Sequence, residues 1–72
     1  MEKLLKALED FIHQEYMNTV RALNNGWGGE DMVKGSLQRC LGATQFLVAL
    51  GVSYEKASAI YDTYKEEFYK LF

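Results

Sequence analysis

The sequence Leu50-Gly51-Val52-Ser53 separates two segments of helical periodicity and decides how they are arranged. Gly51 suits the left-handed conformation that often ends a helix, and Ser53 is a residue type that caps the start of one. A connection this short places the two helices next to each other. We therefore expect a helical hairpin with its turn at residues 50–53.

The segment before this turn, residues 30–50, is predicted to be the second helix. Glu30 and Asp31 are acidic residues suited to its first turn. Its inner face is formed by residues at helical spacing, namely Val33, Leu37, Cys40, Leu41, Thr44, Leu47 and Val48. Gly35 and Gly42 each cost about 1 kcal/mol relative to alanine inside a helix, which implies a compensating contact.

The segment after the turn is predicted to be a third helix over residues 53–71. Its apolar seam steps by three and four residues and consists of Tyr54, Ala57, Tyr61, Tyr64, Phe68 and Leu71, with Tyr69 and Phe72 at its flank. Such a seam is usually core. Tyrosine also has a polar tip that suits protein interfaces, so Tyr61 and Tyr64 are predicted to lie either at the core edge or in an interface.

A first helix is predicted over residues 2–24, where Asn24-Asn25-Gly26 ends it. Its apolar face consists of Met1, Leu4, Leu5, Leu8, Phe11, Ile12, Tyr16, Val20 and Leu23. Three helices of similar length with short loops predict an all-α, three-helix antiparallel bundle in up-down-up order, in one domain over residues 1–72. The alternative is a longer helical hairpin whose core is completed by a second chain.

The amino-acid composition limits the ways in which so small a domain can be stabilised. The chain has 72 residues, one cysteine, one histidine and no proline, so neither an internal disulfide nor a typical zinc site is available. A net charge of −2 disfavours nucleic-acid binding. The longest apolar run, residues 46–50, is too short for a membrane span. We expect a cytoplasmic protein with no cofactor, metal, catalytic residues or small-molecule substrate.

Small residues follow one line of the second helix. Gly35, Gly42 and Ala49 are spaced seven residues apart, and Phe46 lies on the same side. This line predicts either close packing of helices within the monomer or a contact between two copies of the second helix. We favour the second interpretation, which makes the protein a homodimer.

Glu15 lies within the apolar arc of the first helix, where a carboxylate must be paired, protonated or at a wet edge. One interpretation is that the side chain reaches solvent or a basic residue such as Arg39. The other is a buried polar contact with Thr44 or Arg39 that fixes helix register or subunit pairing.

Trp27 lies in the glycine-rich connection at residues 26–29. It is predicted either to pack over the end of the bundle or to serve as an exposed anchor for a partner, since tryptophan is common in binding hot spots. The loop lacks the lysine and the serine or threonine of a phosphate-binding loop.

These features predict a small non-enzymatic helical module that binds a protein partner or itself and has an accessory or regulatory role. The interaction candidates are Trp27, Gly42, Phe46, Ala49, Tyr61 and Tyr64. The alternative is a DNA-binding regulator, because the turn at residues 50–53 resembles that of a helix-turn-helix. That alternative predicts that Lys3, Lys34, Arg39 and Lys56 gather on one face.

Overall fold

The computed structural model describes residues 2–71 and contains three helices, so the predicted all-α fold is confirmed. They are α1 (Glu2–Asn24), α2 (Glu30–Ala49) and α3 (Tyr54–Tyr69). Their ends differ from the predicted ones by at most two residues, because residues 50, 70 and 71 form turns and Ser53 is the N-cap of α3. Met1 and Phe72, which were assigned to apolar faces, lie outside the described residues.

The three helices run along one axis. The molecule measures 39 × 16 × 16 Å, whereas α3, with 16 residues, is about 24 Å long and cannot lie across the short dimension. The short connections reverse the chain direction, and each helix packs against both others. This is the predicted up-down-up bundle.

The turn between α2 and α3 is a Schellman motif. Gly51 has φ +107°, and the Val52 N–H donates to the Leu47 carbonyl over 3.0 Å. Val52 is only 3% exposed, so the residue after the glycine returns to the core as this motif prefers. The Ser53 side chain then accepts a hydrogen bond from the Lys56 N–H and caps α3, as the sequence predicted.

The turn after α1 has the same backbone pattern with a different outcome. Gly26 has φ +78°, and the Trp27 N–H donates to the Ala22 carbonyl over 2.9 Å. Trp27 occupies the position that Val52 holds in the other turn, yet it is 68% exposed. It therefore does not cover the end of the bundle.

The core is formed by residues from all three helices and the second turn: Leu8, Ile12, Val33, Leu37, Cys40, Val52, Ala57 and Phe68. Phe68 is its largest member and meets the Tyr16 ring edge-on at a centroid distance of 5.3 Å. Three residues assigned to inner faces are instead exposed, namely Leu4, Phe11 and Tyr54. The apolar arcs of α1 and α3 are wider than the sector that two neighbouring helices cover.

Candidate interaction surface

A closed ring of polar contacts joins α1 to α2. The Arg39 Nε–H donates to Glu15 Oε1, and its Nη2 donates to Ser36 Oγ over 3.1 Å. Ser36 Oγ lies 2.8 Å from Thr19 Oγ1, which donates to the Glu15 backbone carbonyl over 2.8 Å. Since the single Thr19 proton is committed to that carbonyl, the proton between the two hydroxyls comes from Ser36.

The ring shows how the carboxylate in the apolar arc is accommodated. The Glu15 side chain is only 16% exposed, whereas that of Arg39 is 59% exposed, so the ion pair lies at the edge of the bundle. Thr44, the other residue considered as a partner of Glu15, donates instead to the Cys40 carbonyl. The two pairs that cross between the helices, Glu15–Arg39 and Thr19–Ser36, fix how α1 and α2 are aligned.

This alignment determines what lies beside the ion pair toward the start of α1. On α1, Phe11 and Leu4 precede Glu15 by four and eleven residues. Around the helix axis both therefore lie within about 40° of the direction in which Glu15 projects. Phe46 in α2 and Leu50, the C-cap residue of α2, follow Arg39 by seven and eleven residues. Around the helix axis both lie within about 20° of the direction of Arg39. The four apolar residues therefore occupy one flank of the bundle.

We call this flank the α1–α2 apolar face, formed by Leu4, Phe11, Phe46 and Leu50. Their exposed fractions are 39%, 42%, 64% and 59%. With about 200 Å² for a fully exposed large apolar residue, these fractions amount to about 400 Å² of apolar surface. Patches of about 300–600 Å² are the largest found on typical monomers and are often functional.

The small residues of α2 line the outer edge of this face. Among residues 2–71, and apart from the backbone of α2 itself, a Cβ built on Gly42 meets no atom within 4 Å, and one built on Gly35 meets only Arg39 Nη1, at 3.9 Å. Ala49 is also exposed. Close packing within the monomer therefore does not explain this line of small residues, because no helix of the described chain approaches it.

The other interaction candidates lie elsewhere. Trp27 is at the opposite end of the long axis from Phe46, since it precedes α2 whereas Phe46 is in the last turn of that helix. Tyr64 faces α1, where its hydroxyl lies 3.1 Å from His13 Nδ1. Tyr61 faces α2. Partial burial raises the pKa of both tyrosines.

A groove of about 300 Å³ runs between α2 and α3, on a side of α2 different from the α1–α2 apolar face. It is lined by Leu41, Thr44, Gln45, Val48, Tyr54, Ser58, Tyr61 and Asp62. Asp62 is the charged residue of this lining.

The four cations of the DNA-binding alternative are dispersed. Lys3 and Lys56 lie in the first turns of α1 and α3, at one end of the bundle, and Lys34 lies near the other end. Lys34 and Arg39 pair with Glu30 and Glu15, respectively, and point to sides of α2 about 140° apart. The helices also run along one axis, whereas a helix-turn-helix crosses at about 90–120°.

Cys40 is fully buried, and this burial, with the nearby Glu15 carboxylate, raises the pKa of its thiol to about 11. Such a thiol is a poor nucleophile at neutral pH.

Within residues 2–71 no three His, Cys, Asp or Glu side chains are grouped closely enough to hold a metal ion. Nor does any of α1, α2 and α3 combine the length and apolarity that crossing a membrane requires.

Leu4, Phe11 and Leu50 are members of the apolar face that sequence analysis did not select. Helical periodicity predicts the first two as core residues, because they fall within the apolar arc of α1. Glu15 is the sequence feature that could have identified them, because a carboxylate within the apolar arc marks the edge of the buried part of that arc. Residues on the Glu15 side of the arc are the exposed ones.

Comparisons with protein-family models, with curated proteins and with solved structures found no match to this chain.

Proposed function

We propose that this protein is a small non-enzymatic helical module that acts by binding another protein chain through the α1–α2 apolar face. The observation that carries the proposal is the clustering of Leu4, Phe11, Phe46 and Leu50 on one flank, with about 400 Å² of apolar surface in water. Removing that surface from water is favourable by about 25 cal/mol per Å², before the cost of ordering two chains.

The surroundings of the face support binding to protein. Residues 40–54 contain no charged side chain, so the α2 part of the face carries no charge that binding must desolvate. The Glu15–Arg39 ion pair lies at its border. An apolar centre with charged residues at the rim is the usual composition of a protein interface.

The proposal is tested by photo-crosslinking in cells that express the chain. The photoreactive residue benzoylphenylalanine replaces Phe46 in one variant and Glu66, an exposed residue of α3, in a control variant. We expect a covalent adduct heavier than the 8.3 kDa chain from position 46 and none from position 66.

A second substitution tests whether the crosslinked partner contacts the whole α1–α2 apolar face rather than position 46 alone. Phe11→Ser in the variant with the crosslinker at position 46 leaves the crosslinker in place but removes a neighbouring apolar contact, so the yield should fall. Absence of an adduct from position 46, or equal yields from positions 46 and 66, would show that the face binds no protein.

A further inference from the structure

We infer that the occupant of the α1–α2 apolar face is a second copy of this chain, docked with the two α2 helices antiparallel. The two-fold axis lies at the level of Thr44, so that Phe46 of each copy lies over Gly42 of the other. This inference rests on the proposed function and names the partner of the same surface.

The first observation is a protruding side chain and an open position that match each other. Phe46 projects from α2 with 64% of its surface exposed. One turn earlier Gly42 leaves an open position, because no side chain of residues 2–71 comes within 4 Å of a Cβ built there. An antiparallel pair centred midway between these residues brings each Phe46 onto the other copy's Gly42. A two-fold interface requires this self-complementarity, in which residue i meets residue j and j meets i.

The second observation is the position of Phe11. The pairs Glu15–Arg39 and Thr19–Ser36 show which residues of the antiparallel helices α1 and α2 lie at the same height along the bundle axis. They are the residues whose numbers add up to about 54 or 55. Phe11 therefore lies at the level of residues 43 and 44, next to that of Gly42 along the axis of α2. An aromatic ring inserted over Gly42 covers the bare helix backbone, at the level where α1 presents the exposed ring of Phe11.

The third observation is the absence of charge. Around a two-fold axis each residue lies near its own copy, so a charged residue there faces a like charge. Residues 40–54 are all uncharged, and they include the part of α2 that surrounds the proposed axis.

The available area also suits a dimer. An interface between separate chains is about 57% apolar, so 400 Å² of apolar surface corresponds to about 700 Å² buried per copy. The total of about 1,400 Å² falls within the range of about 1,200–2,000 Å² for specific interfaces.

The test is sedimentation equilibrium of the purified chain between about 1 µM and about 1 mM, the range over which a weak dimer dissociates. We expect the mass to rise from 8.3 kDa toward twice that value. Phe46→Ala should weaken the dimer at least tenfold by removing a central aromatic side chain. Gly42→Phe should do the same by filling the open space.

Two further variants examine the pairing itself. The double variant Gly42→Phe/Phe46→Ala exchanges the protruding and open positions, and it should recover at least tenfold of the association lost by Gly42→Phe alone. Gly35→Ala, also on the outer side of α2 but beyond the proposed crossing, should leave the dissociation constant unchanged. Association that is insensitive to positions 42 and 46, or no recovery in the double variant, would overturn the pairing.

Helix direction is tested with Ala49→Cys in a Cys40→Ser background. In the antiparallel arrangement the two copies of position 49 are about 15 Å apart along the helices, beyond the limit of about 7 Å between the Cα atoms of a disulfide. No disulfide-linked dimer is therefore expected on oxidation, and its rapid formation would exclude this arrangement.

The outcome also separates this inference from the proposed function. A chain that stays monomeric up to about 1 mM while position 46 crosslinks to a different protein in cells overturns the dimer and leaves the interaction module in place. A chain that neither dimerises nor crosslinks at position 46 overturns both.

Discussion

Replacing the two buried hydroxyls that join α1 to α2 should cost less together than the sum of the single replacements. Thr19 and Ser36 are 3% and 2% exposed, and their oxygen atoms are 2.8 Å apart. In Ser36→Ala, Thr19 still donates to the Glu15 carbonyl, and Arg39 can turn its free N–H to water. The loss is then one buried hydrogen bond, about 1 kcal/mol.

Thr19→Val should cost more. This substitution keeps the shape of the side chain but removes the oxygen that accepts the Ser36 proton. The Ser36 hydroxyl then stays buried with its hydrogen bond broken. Leaving a buried donor unsatisfied costs about 1–3 kcal/mol, so we expect about 2 kcal/mol. In the double variant Thr19→Val/Ser36→Ala both hydroxyls of the pair are gone, so neither is left without its partner, and the total should be about 2 kcal/mol rather than about 3.

The free energies of unfolding come from urea denaturation followed by circular dichroism at a fixed, dilute concentration that keeps the chain monomeric. In a thermal scan, 1 kcal/mol corresponds to a change in Tm of about 4–8 °C for a domain of this size. Ser58→Ala is the matched control, because that hydroxyl lies at the surface and donates within its own helix to Glu55. It should change stability by less than about 0.5 kcal/mol.

Strict additivity of the two core substitutions would refute the reasoning, since it would mean that Thr19 and Ser36 do not depend on each other. A Ser58→Ala effect as large as that of Ser36→Ala would show that serine loss in a helix, rather than the buried ring, determines the cost.

Three other expectations concern single positions. Gly42→Ala should raise the unfolding free energy of the dilute monomer by about 1 kcal/mol, because the position is helical and unobstructed, and an unchanged urea midpoint would contradict that. Gly51→Ala should lower it by more than about 1 kcal/mol, because φ is +107°, and a neutral effect would mean that the turn relaxes. Cys40 should react with a thiol reagent at pH 8 only after unfolding. Because burial raises the pKa of its thiol from 9.0 to about 11, the unfolded chain loses that proton first, and stability should fall as pH rises from about 9 toward 11. Urea midpoints across that range should show a smaller fall in Cys40→Ala than in the parent chain.

Local structure could be predicted from short stretches of sequence. Gly26 and Gly51 lie at the two positions of positive φ that end α1 and α2, and the Ser53 side chain caps α3. These signals act within a few residues, through backbone freedom and a single hydrogen bond, so they do not depend on the rest of the chain. Helix order and short connections then leave the antiparallel bundle as the arrangement that buries all three apolar faces.

The exposed face was only partly predictable. Phe46, Gly42 and Ala49 lie opposite the core side of α2, and their spacing alone places them on one line. Phe11 and Leu4 could not be separated from the core residues Leu8 and Ile12 by periodicity, because all four fall in one broad arc. The sequence pattern shows how wide the apolar arc is, but it does not show which part of the arc is covered by a neighbouring helix.

The sequence by itself determined the three helices, their turns and the antiparallel order, because each depends on local conformational preference and helical spacing. Only the tertiary structure decided which apolar residues are buried. Glu15, Thr19, Ser36 and Arg39 align α1 with α2 through contacts between residues 17 and 24 positions apart. That alignment leaves Leu4 and Phe11 beside Phe46 and Leu50 in water, because each helix of a three-helix bundle is covered by only two neighbours.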